Sequence, residues 1–260
     1  MVKNTQKIKR LFSLAGKVAL VTGSTRGNGK AIAEGFLDAG ATVYFVDMLK
    51  KELQETVGGL KNPNAHYVVA DITDKHDLEK LTKKVFAQQK GIDILVNNAG
   101  ISISEPSETY RQENWEKTHA VNVTSVFLLC QLVSKIMIPQ KSGAIINVTS
   151  LAAERGFPNN PAYVASKGAL KQLTKALAMD WGKYNIRVNN LVPGYIKTDM
   201  TIKSYNDPIL HKERSDKTML GKWGQPEDLV GSAIFLASDA ASYVTGHDLH
   251  VDGGWLAKGL

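Results

Sequence analysis

The chain has 260 residues, a net charge of +7 and an apolar content of 43%, which argues against disorder and suits one large α/β domain or two small ones. The longest apolar runs fall short of the ~20 residues of a membrane-spanning helix, and the polar start MVKNTQKIKR lacks the apolar core of a secretory signal, so no membrane partner is expected. No basic face with groove-reading elements is evident, so nucleic-acid binding is not expected either.

The basic residues are concentrated at the amino terminus. Lys3, Lys7, Lys9 and Arg10 supply four of the seven net positive charges. This concentration predicts a solvated, mobile tail over residues 1–13. The rest of the chain is left with a small positive excess, which favours anionic substrates only weakly.

From residue 14 to residue 260, short apolar runs alternate with amphipathic segments. The apolar runs predict buried strands at 18–23, 42–47, 65–71, 93–100, 143–150, 185–194 and 247–254. Helical patterns follow at 30–40, 77–89, 114–138 and 161–182. Short runs rich in Val and Ile are typical of parallel strands covered on both faces. The alternation predicts a single α/β domain with a Rossmann-like, doubly wound parallel sheet and helices on both faces.

Two further features bear on function and location. Residues 195–220 are polar and weakly periodic, which predicts a lid over a substrate. Cys130, the only cysteine, lies in the apolar run VFLLCQLV, where packing is favoured over a reactive thiol. A chain without a disulfide fits a reducing compartment, so we expect a cytoplasmic protein. No Cys/His cluster suggests a metal site.

The first strand runs into a glycine turn, TGSTRGNG, with Gly23, Gly27 and Gly29. Between a strand and a helix, such a turn lets backbone N–H groups approach a pyrophosphate at the helix N-terminus. Asp47 ends the second strand, 18 residues past Gly29, where a carboxylate can bind both adenine-ribose hydroxyls and repel a 2′-phosphate. Arg26 favours the opposite preference, since a guanidinium could bind that phosphate. The sequence favours NAD over NADP.

A second group of residues has the chemistry of proton transfer. Tyr163 and Lys167 are four residues apart in a predicted helix, so they share one face. Ser150 ends a predicted strand thirteen residues earlier, and Asn122 is an amide inside an apolar helix, which predicts a buried partner. A Tyr-x-x-x-Lys pair alone is common by composition. Its position downstream of a cofactor turn favours a catalytic role.

The order of the motifs resembles that of a known family. The motifs in chain order are TGSTRGNG at 22–29, DI at 71–72, NNAG at 97–100, VN at 121–122, VTS at 148–150, Y-x-x-x-K at 163–167 and PG at 193–194. Together they resemble the compact branch of the short-chain dehydrogenase/reductase family, and the similarity covers nearly the whole chain from about Leu14. The resemblance implies a sheet of seven parallel strands, usually in a homotetramer, and alcohol–ketone oxidoreduction.

The resemblance also implies a role for each candidate catalytic residue. Tyr163 would be the general acid and base, although a free phenol with a pKa of about 10 is a poor base near neutrality. Lys167 and the positive nicotinamide would favour the tyrosinate by direct charge interaction. Ser150 would hold the substrate oxygen, and Asn122 would support a water that links Lys167 to solvent.

Cofactor contacts follow from the same resemblance. The implied residues are Gly23, Thr25, Arg26, Gly27, Asn28 and Gly29 of the turn, Asp47 and Met48 at the ribose, Asp71 and Ile72 at adenine, Asn98, Ala99 and Gly100 at the second ribose, Pro193, Gly194, Ile196 and Thr198 at the nicotinamide, and Tyr163 with Lys167. Asn28 is a departure, because the family commonly has Ile or Leu between the last two glycines. The polar side chain leaves backbone contact open but puts the local packing in question.

The carboxyl-terminal segment bears on the substrate. Residues 222–257, and VDGGWLA at 251–257 in particular, resemble gluconate and deoxygluconate dehydrogenases. We therefore expect oxidation of a secondary hydroxyl on a sugar acid or polyol, or reduction of the matching ketone. Arg155 and Lys197 are candidates to bind the substrate carboxylate, and a plain surface role for both stays open.

Three other functions stay open. A 3-oxoacyl-carrier-protein reductase shares the scaffold, although Asp47 disfavours the NADPH that such enzymes usually take. A secondary-alcohol, diol or steroid dehydrogenase is compatible with the same residues. A non-catalytic nucleotide-binding module would have no need for Ser150, Tyr163 and Lys167 together.

Overall fold

The computed structural model describes residues 2–258 and contains one parallel sheet. Its strands are β1 (Val18–Thr22), β2 (Thr42–Asp47), β3 (Ala65–Val69), β4 (Ile94–Asn97), β5 (Gly143–Val148), β6 (Ile186–Pro193) and β7 (Asp248–Val251). The order is β3-β2-β1-β4-β5-β6-β7, and every neighbouring pair is parallel. This confirms the predicted seven-stranded, Rossmann-like fold.

Helices connect the strands and cover both faces of the sheet. They are α1 (Val2–Leu11), α2 (Gly27–Asp38), α3 (Lys50–Leu60), α4 (Lys75–Gln89), α5 (Gln112–His119), α6 (Ser125–Gln140), α7 (Pro161–Trp181), α8 (Ile202–Asn206), α9 (Pro208–Asp216) and α10 (Val230–Ala237). The strand order reverses between β1 and β4, so a crevice opens there outside the carboxyl ends of the strands. Ligands bind at this point in open α/β sheets.

Apolar side chains alternate between the two faces of the sheet along each strand, so a hydrophobic core lies on each face. In β1, Ala19 and Val21 pack on the face covered by α2, α3 and α10, whereas Val18 and Leu20 pack on the face covered by α4, α6 and α7. Successive strand residues point to opposite faces. A run with apolar side chains on both sides is therefore stable only between two helix layers.

One continuous helix joins α5 and α6 from Gln112 to Gln140. Its length is that of a membrane-spanning helix, and so is the mean hydropathy of 1.7 in its most apolar 18-residue window, of which 44% is buried inside the chain. Leu129, Val133 and Met137 lie on that buried side and pack among sheet residues. The absence of a membrane partner stays a prediction.

The amino-terminal segment and the 195–220 segment both contain helices. Residues 2–11 form α1, and the mobility expected of the 1–13 tail stays a prediction. The 195–220 segment contains α8 and α9. Its function as a lid stays a prediction too.

Candidate active site

Ser150, Tyr163 and Lys167 meet beyond the carboxyl end of β5. Ser150 is the second residue after the strand, and its Oγ accepts a hydrogen bond of 3.2 Å from the Ala152 N–H. Tyr163 lies in the first turn of α7, which begins at a proline, a residue suited to that position. Lys167 is one turn further on, and its Nζ lies 5.7 Å from the centroid of the Tyr163 ring. The spacing predicted this shared helix face.

Burial dominates the ionisation of this pair. Burial raises the pKa of Tyr163, and a side-chain hydrogen bond with Ser150 opposes the increase. Burial lowers the pKa of Lys167 from 10.5 to about 8. Among the chain's own residues, burial thus has the larger effect on the pKa of Tyr163, and the lowering expected from Lys167 together with the positive nicotinamide stays a prediction. The physical reason is that loss of hydration outweighs the favourable contacts of the phenolate.

Lys167 is held by the backbone of the neighbouring strand. Its Nζ donates a 2.7 Å hydrogen bond to the Val148 carbonyl, and the residue is only 4% exposed. A Cβ at Gly100 would lie 3.6 Å from the same Nζ. The lysine is therefore fixed between β5 and the segment that follows β4.

Asn122 lies in a π-helical turn, Ala120–Thr124, between α5 and α6. Its Oδ1 accepts from the Ile101 N–H, and its Nδ2 donates to the Ile101 carbonyl, both at 2.9 Å. The same Nδ2 lies 3.0 Å from the Ser166 Oγ. π-Turns inside helices frequently mark functional sites. The amide has the buried partners that its position predicted, while its support of a water relay stays a prediction.

The glycine turn forms a cradle at the end of β1. Gly23 and Gly27 have φ of +64° and +55°, a region that side chains disfavour. A Cβ at Gly29 would lie 2.2 Å from the Gly23 carbonyl oxygen and 2.3 Å from Asn98 Nδ2. That amide donates to the carbonyls of Thr22 and Gly23 at 3.1 and 3.0 Å. Asn98 thus holds the turn in shape, directly ahead of the N-terminus of α2.

Two polar atoms of the cradle are buried without a partner among residues 2–258. They are Thr25 Oγ1 and Asn28 Oδ1. Buried polar atoms normally have hydrogen-bond partners. Together with the tight turn that only glycine permits at 23 and 29, they fit a dinucleotide held by this turn. Asn28, the departure from the family pattern, is accommodated half-buried within it.

The two residues with opposing cofactor preferences are held differently. Asp47 is anchored at the end of β2, where its carboxylate accepts from the N–H groups of Thr25 and Leu49 at 3.4 and 3.2 Å. Arg26 is exposed, and its Nη1 lies 2.9 Å from Asp199 Oδ2. Asp199 belongs to the 195–220 segment, and the sequence offered no signal for this pair.

The remaining candidate cofactor residues lie at or just after the carboxyl ends of β2, β3, β4 and β6. Asp71 Oδ1 accepts from both the N–H and the Oγ1 of Thr73. Met48 is exposed, whereas Ile72 packs against the core and Ile196 is buried. The Ala99 N–H donates to Thr22 Oγ1. Pro193 is the last residue of β6, and Gly194 follows it. A Cβ at Gly27 would lie 3.4 Å from the Thr198 methyl group. The glycine turn and Thr198 of the 195–220 segment therefore lie close together.

The candidate carboxylate-binding residues are both exposed. Arg155 lies in the loop after Ser150, and Lys197 has its Nζ 4.6 Å from the Tyr205 ring centroid. The structure adds Arg214, whose guanidinium lies 4.8 Å from the Tyr195 ring centroid. Only the polar character of the 195–220 segment could have indicated Arg214.

A cavity of about 800 Å³ lies elsewhere, at the edge of the sheet near β3. Its walls include Tyr44, Lys61, His66 and Lys84, and none of the candidate catalytic or cofactor residues. Volume alone therefore does not mark the site. Within residues 2–258, no group of His, Cys, Asp and Glu is arranged to hold a metal ion.

Comparison with known proteins gives a family match and full-length relatives. Residues 23–256 match the family model described as enoyl-(acyl carrier protein) reductase. The chain is 38% identical over 248 residues to the 5-keto-D-gluconate 5-reductase of Escherichia coli K12, covering 95% of this chain and 98% of that protein. It is 39% identical over 254 residues to the 2-dehydro-3-deoxy-D-gluconate 5-dehydrogenase of Dickeya dadantii, covering 96% and 100%.

A solved structure also matches this chain over nearly its full length. The gluconate 5-dehydrogenase from Burkholderia cenocepacia, in complex with NADP and tartrate, matches with a TM-score of 0.93 at 35% identity. The match covers 96% of this chain and 99% of that chain.

Proposed function

Since the chain belongs to the short-chain dehydrogenase/reductase family and is an oxidoreductase acting on CH–OH groups, we propose that it interconverts a secondary alcohol and a ketone on a sugar acid or polyol, with NAD(H) as hydride carrier. The observation that carries this proposal is the convergence of Ser150, Tyr163 and Lys167 beside the glycine cradle. Asn98 donates to the Gly23 carbonyl of the cradle at 3.0 Å, and a Cβ at Gly100, two residues further on, would lie 3.6 Å from Lys167 Nζ. The segment that follows β4 therefore lies between the cradle and the proton-transfer residues.

Each residue has a distinct task in the proposed mechanism. The cradle and the 193–198 segment would hold the nicotinamide cofactor, which would supply the hydride transfer. Tyr163 accepts the hydroxyl proton during oxidation and returns it during reduction. Ser150 donates a hydrogen bond to the substrate oxygen. Lys167, whose pKa of about 8 keeps it largely charged near neutrality, favours the tyrosinate and partly offsets the effect of burial on Tyr163.

Asp47 and Asp199 support the preference for NAD. The Asp47 carboxylate is fixed at the end of β2, where it would repel a 2′-phosphate. Arg26, which could bind that phosphate, is paired with Asp199. The Burkholderia relative was solved with NADP, so the preference is tested directly below.

The names of the relatives support a sugar acid as substrate. The Escherichia and Dickeya proteins act on gluconate derivatives, and the Burkholderia structure holds tartrate, a hydroxy acid. Arg155 and Lys197 are proposed to bind the carboxylate. Arg155→Ala or Lys197→Ala should raise the KM for the best acid substrate, whereas Lys203→Ala, an exposed lysine of α8, should not. Unchanged KM values in both variants would contradict this assignment.

Self-association into a homotetramer is part of the proposal. Phe127 of α6 and Met179 of α7 are 40% and 83% exposed, although large apolar side chains are usually covered. Helices with apolar residues beyond one stripe are suited to subunit contacts. A single-chain mass by light scattering would contradict it.

The test of the proposed function is a substrate panel with purified protein. NAD and NADP are supplied in parallel with D-gluconate, deoxygluconates, polyols and simple secondary alcohols, and nicotinamide reduction is followed by absorbance. We expect NAD-linked turnover of a sugar acid or polyol. Turnover of a 3-oxoacyl thioester with NADPH, and not of the panel, would favour the carrier-protein reductase instead.

A further inference from the structure

The turn after β7 lies directly against the segment proposed to cover the nicotinamide. The Gly194 N–H donates to the Val251 carbonyl at 2.9 Å, and a Cβ at Gly194 would lie 2.6 Å from the Asp252 Cα. The Asp252 carboxylate holds the turn by accepting from the N–H groups of Gly254 and Leu256, both at 2.9 Å. Residues 252–257 are therefore fixed at the mouth of the site rather than free as a terminus.

Trp255 projects from this turn between two segments of the site. Its ring lies 6.1 Å from that of Phe157 at an interplanar angle of 19°, and Phe157 belongs to the loop that joins Ser150 to Tyr163. On the other side, the Tyr195 ring meets it edge-on at 6.2 Å, and Tyr195 follows Gly194 in the chain. The three rings, Phe157, Tyr195 and Trp255, form an aromatic wall where the loop between Ser150 and Tyr163, the segment after β6 and the turn after β7 meet.

The indole nitrogen of Trp255 is a buried donor that lacks an acceptor. Nε1 has no hydrogen-bond partner in the described part of the chain. An indole N–H can only donate, and leaving such a donor unpaired is unfavourable enough that buried examples require an explanation. A ligand that brings an oxygen to this position supplies the missing acceptor.

We propose that Trp255 positions the substrate, with its Nε1–H donating to a hydroxyl or carboxylate oxygen away from the reacting carbon, while the aromatic wall covers the C–H face of the substrate. This inference rests on the proposed function and names the residue that selects polyhydroxylated over simple alcohols. A site built to hydrogen-bond a substrate oxygen rejects an analogue that lacks it.

Trp255→Phe tests the proposal because it keeps a ring and removes the donor. We expect the KM for D-gluconate to rise about tenfold, the effect of losing one hydrogen bond, with kcat and NAD affinity unchanged. Oxidation of 2-butanol, which has a single hydroxyl, should be unaffected. The matched control is Trp115→Phe, since Trp115 is partly exposed on α5 and stacks on His119.

A binding measurement separates this inference from turnover. D-gluconate is titrated calorimetrically into the NAD-loaded Tyr163→Phe protein, with and without Trp255→Phe, and the dissociation constant should rise about tenfold when the indole is removed. If the wild-type protein oxidises D-gluconate and Trp255→Phe changes neither KM nor this constant, Trp255 has no such role and the proposed function stands. If the wild-type protein oxidises no sugar acid or polyol, the proposed function fails and this inference fails with it.

Discussion

Replacing Lys167 by Met should stabilise the fold while it abolishes turnover. Burial lowers the pKa of Lys167 from 10.5 to about 8. At ~1.4 kcal/mol per pKa unit, this difference corresponds to about 3 kcal/mol of destabilisation while the lysine is charged. The loss of the hydrogen bond from the charged ammonium to the Val148 carbonyl offsets about 2 kcal/mol of the gain. Lys167→Met should therefore raise the free energy of unfolding by roughly 1 kcal/mol near neutral pH.

The pH dependence fixes the sign of this effect. Below a pH of about 8 the folded and unfolded states both carry the charged lysine, so the penalty is fully present. Between pH values of about 8 and 10.5 the unfolded state binds more protons at Lys167 than the folded state does. The free energy of unfolding of the wild-type protein therefore rises with pH over this interval. The advantage of Lys167→Met should shrink over that interval. Denaturant titrations of both proteins at a series of pH values measure it.

Lys171, one turn further along α7, is the matched control. Burial lowers its pKa, but the hydrogen bond and charge of Glu154 and the charge of Asp248 outweigh that effect and raise it. Lys171→Met leaves the two carboxylates without their partner and should destabilise the fold by about 1–3 kcal/mol. If Lys167→Met is as destabilising as Lys171→Met, the reasoning from burial is wrong.

Three further predictions concern the cofactor crevice and the core. Gly29→Ala brings a methyl group to 2.2 Å from the Gly23 carbonyl and should weaken NAD binding about 10- to 100-fold by calorimetry, since overpacking costs about 1–3 kcal/mol; unchanged affinity would contradict the cradle. Asp199→Asn releases Arg26 and should raise the ratio of kcat/KM with NADP to kcat/KM with NAD by up to about fivefold. In a protein that already carries Arg26→Ala, adding Asp199→Asn should leave this ratio unchanged. Burial raises the pKa of Cys130 to about 12, so iodoacetamide should label it only after unfolding, and rapid labelling of the folded protein would place the thiol at the surface.

The fold was predictable because its signals are local. Apolar runs rich in Val and Ile marked most strands, and glycine spacing marked the turn at the start of α2. The ends of strands were less predictable. The run at 247–254 contains β7 only as Asp248–Val251, because Gly253 and Gly254 take φ of +63° and +80° and turn the chain.

The candidate site was predictable where one helix or turn holds it. Tyr163 and Lys167 share a face because they are four residues apart. By contrast, the pairing of Arg26 with Asp199 and the approach of Trp255 to Phe157 join residues that are distant in sequence. Such contacts depend on how loops meet at one edge of the sheet, and no local pattern encodes them.

Polar residues within the sheet were a further limit of local patterns. Asn97 and Asn147 are paired in register across β4 and β5, and the Asn97 Nδ2 donates to the Asn147 Oδ1 at 2.8 Å. Asn147 in turn donates to Thr174 of α7 at 2.8 Å. Each asparagine alone interrupts an apolar run, and only the assembled sheet shows that their amides satisfy one another.

The most direct test of the central claim compares wild-type protein with Tyr163→Phe in NAD-linked oxidation of D-gluconate, with NAD affinity measured on both. We expect turnover by the wild type and a loss of about 100-fold or more in kcat for the variant when both proteins are saturated with NAD. Comparable turnover by Tyr163→Phe would contradict the assignment of Tyr163 as the proton acceptor and donor.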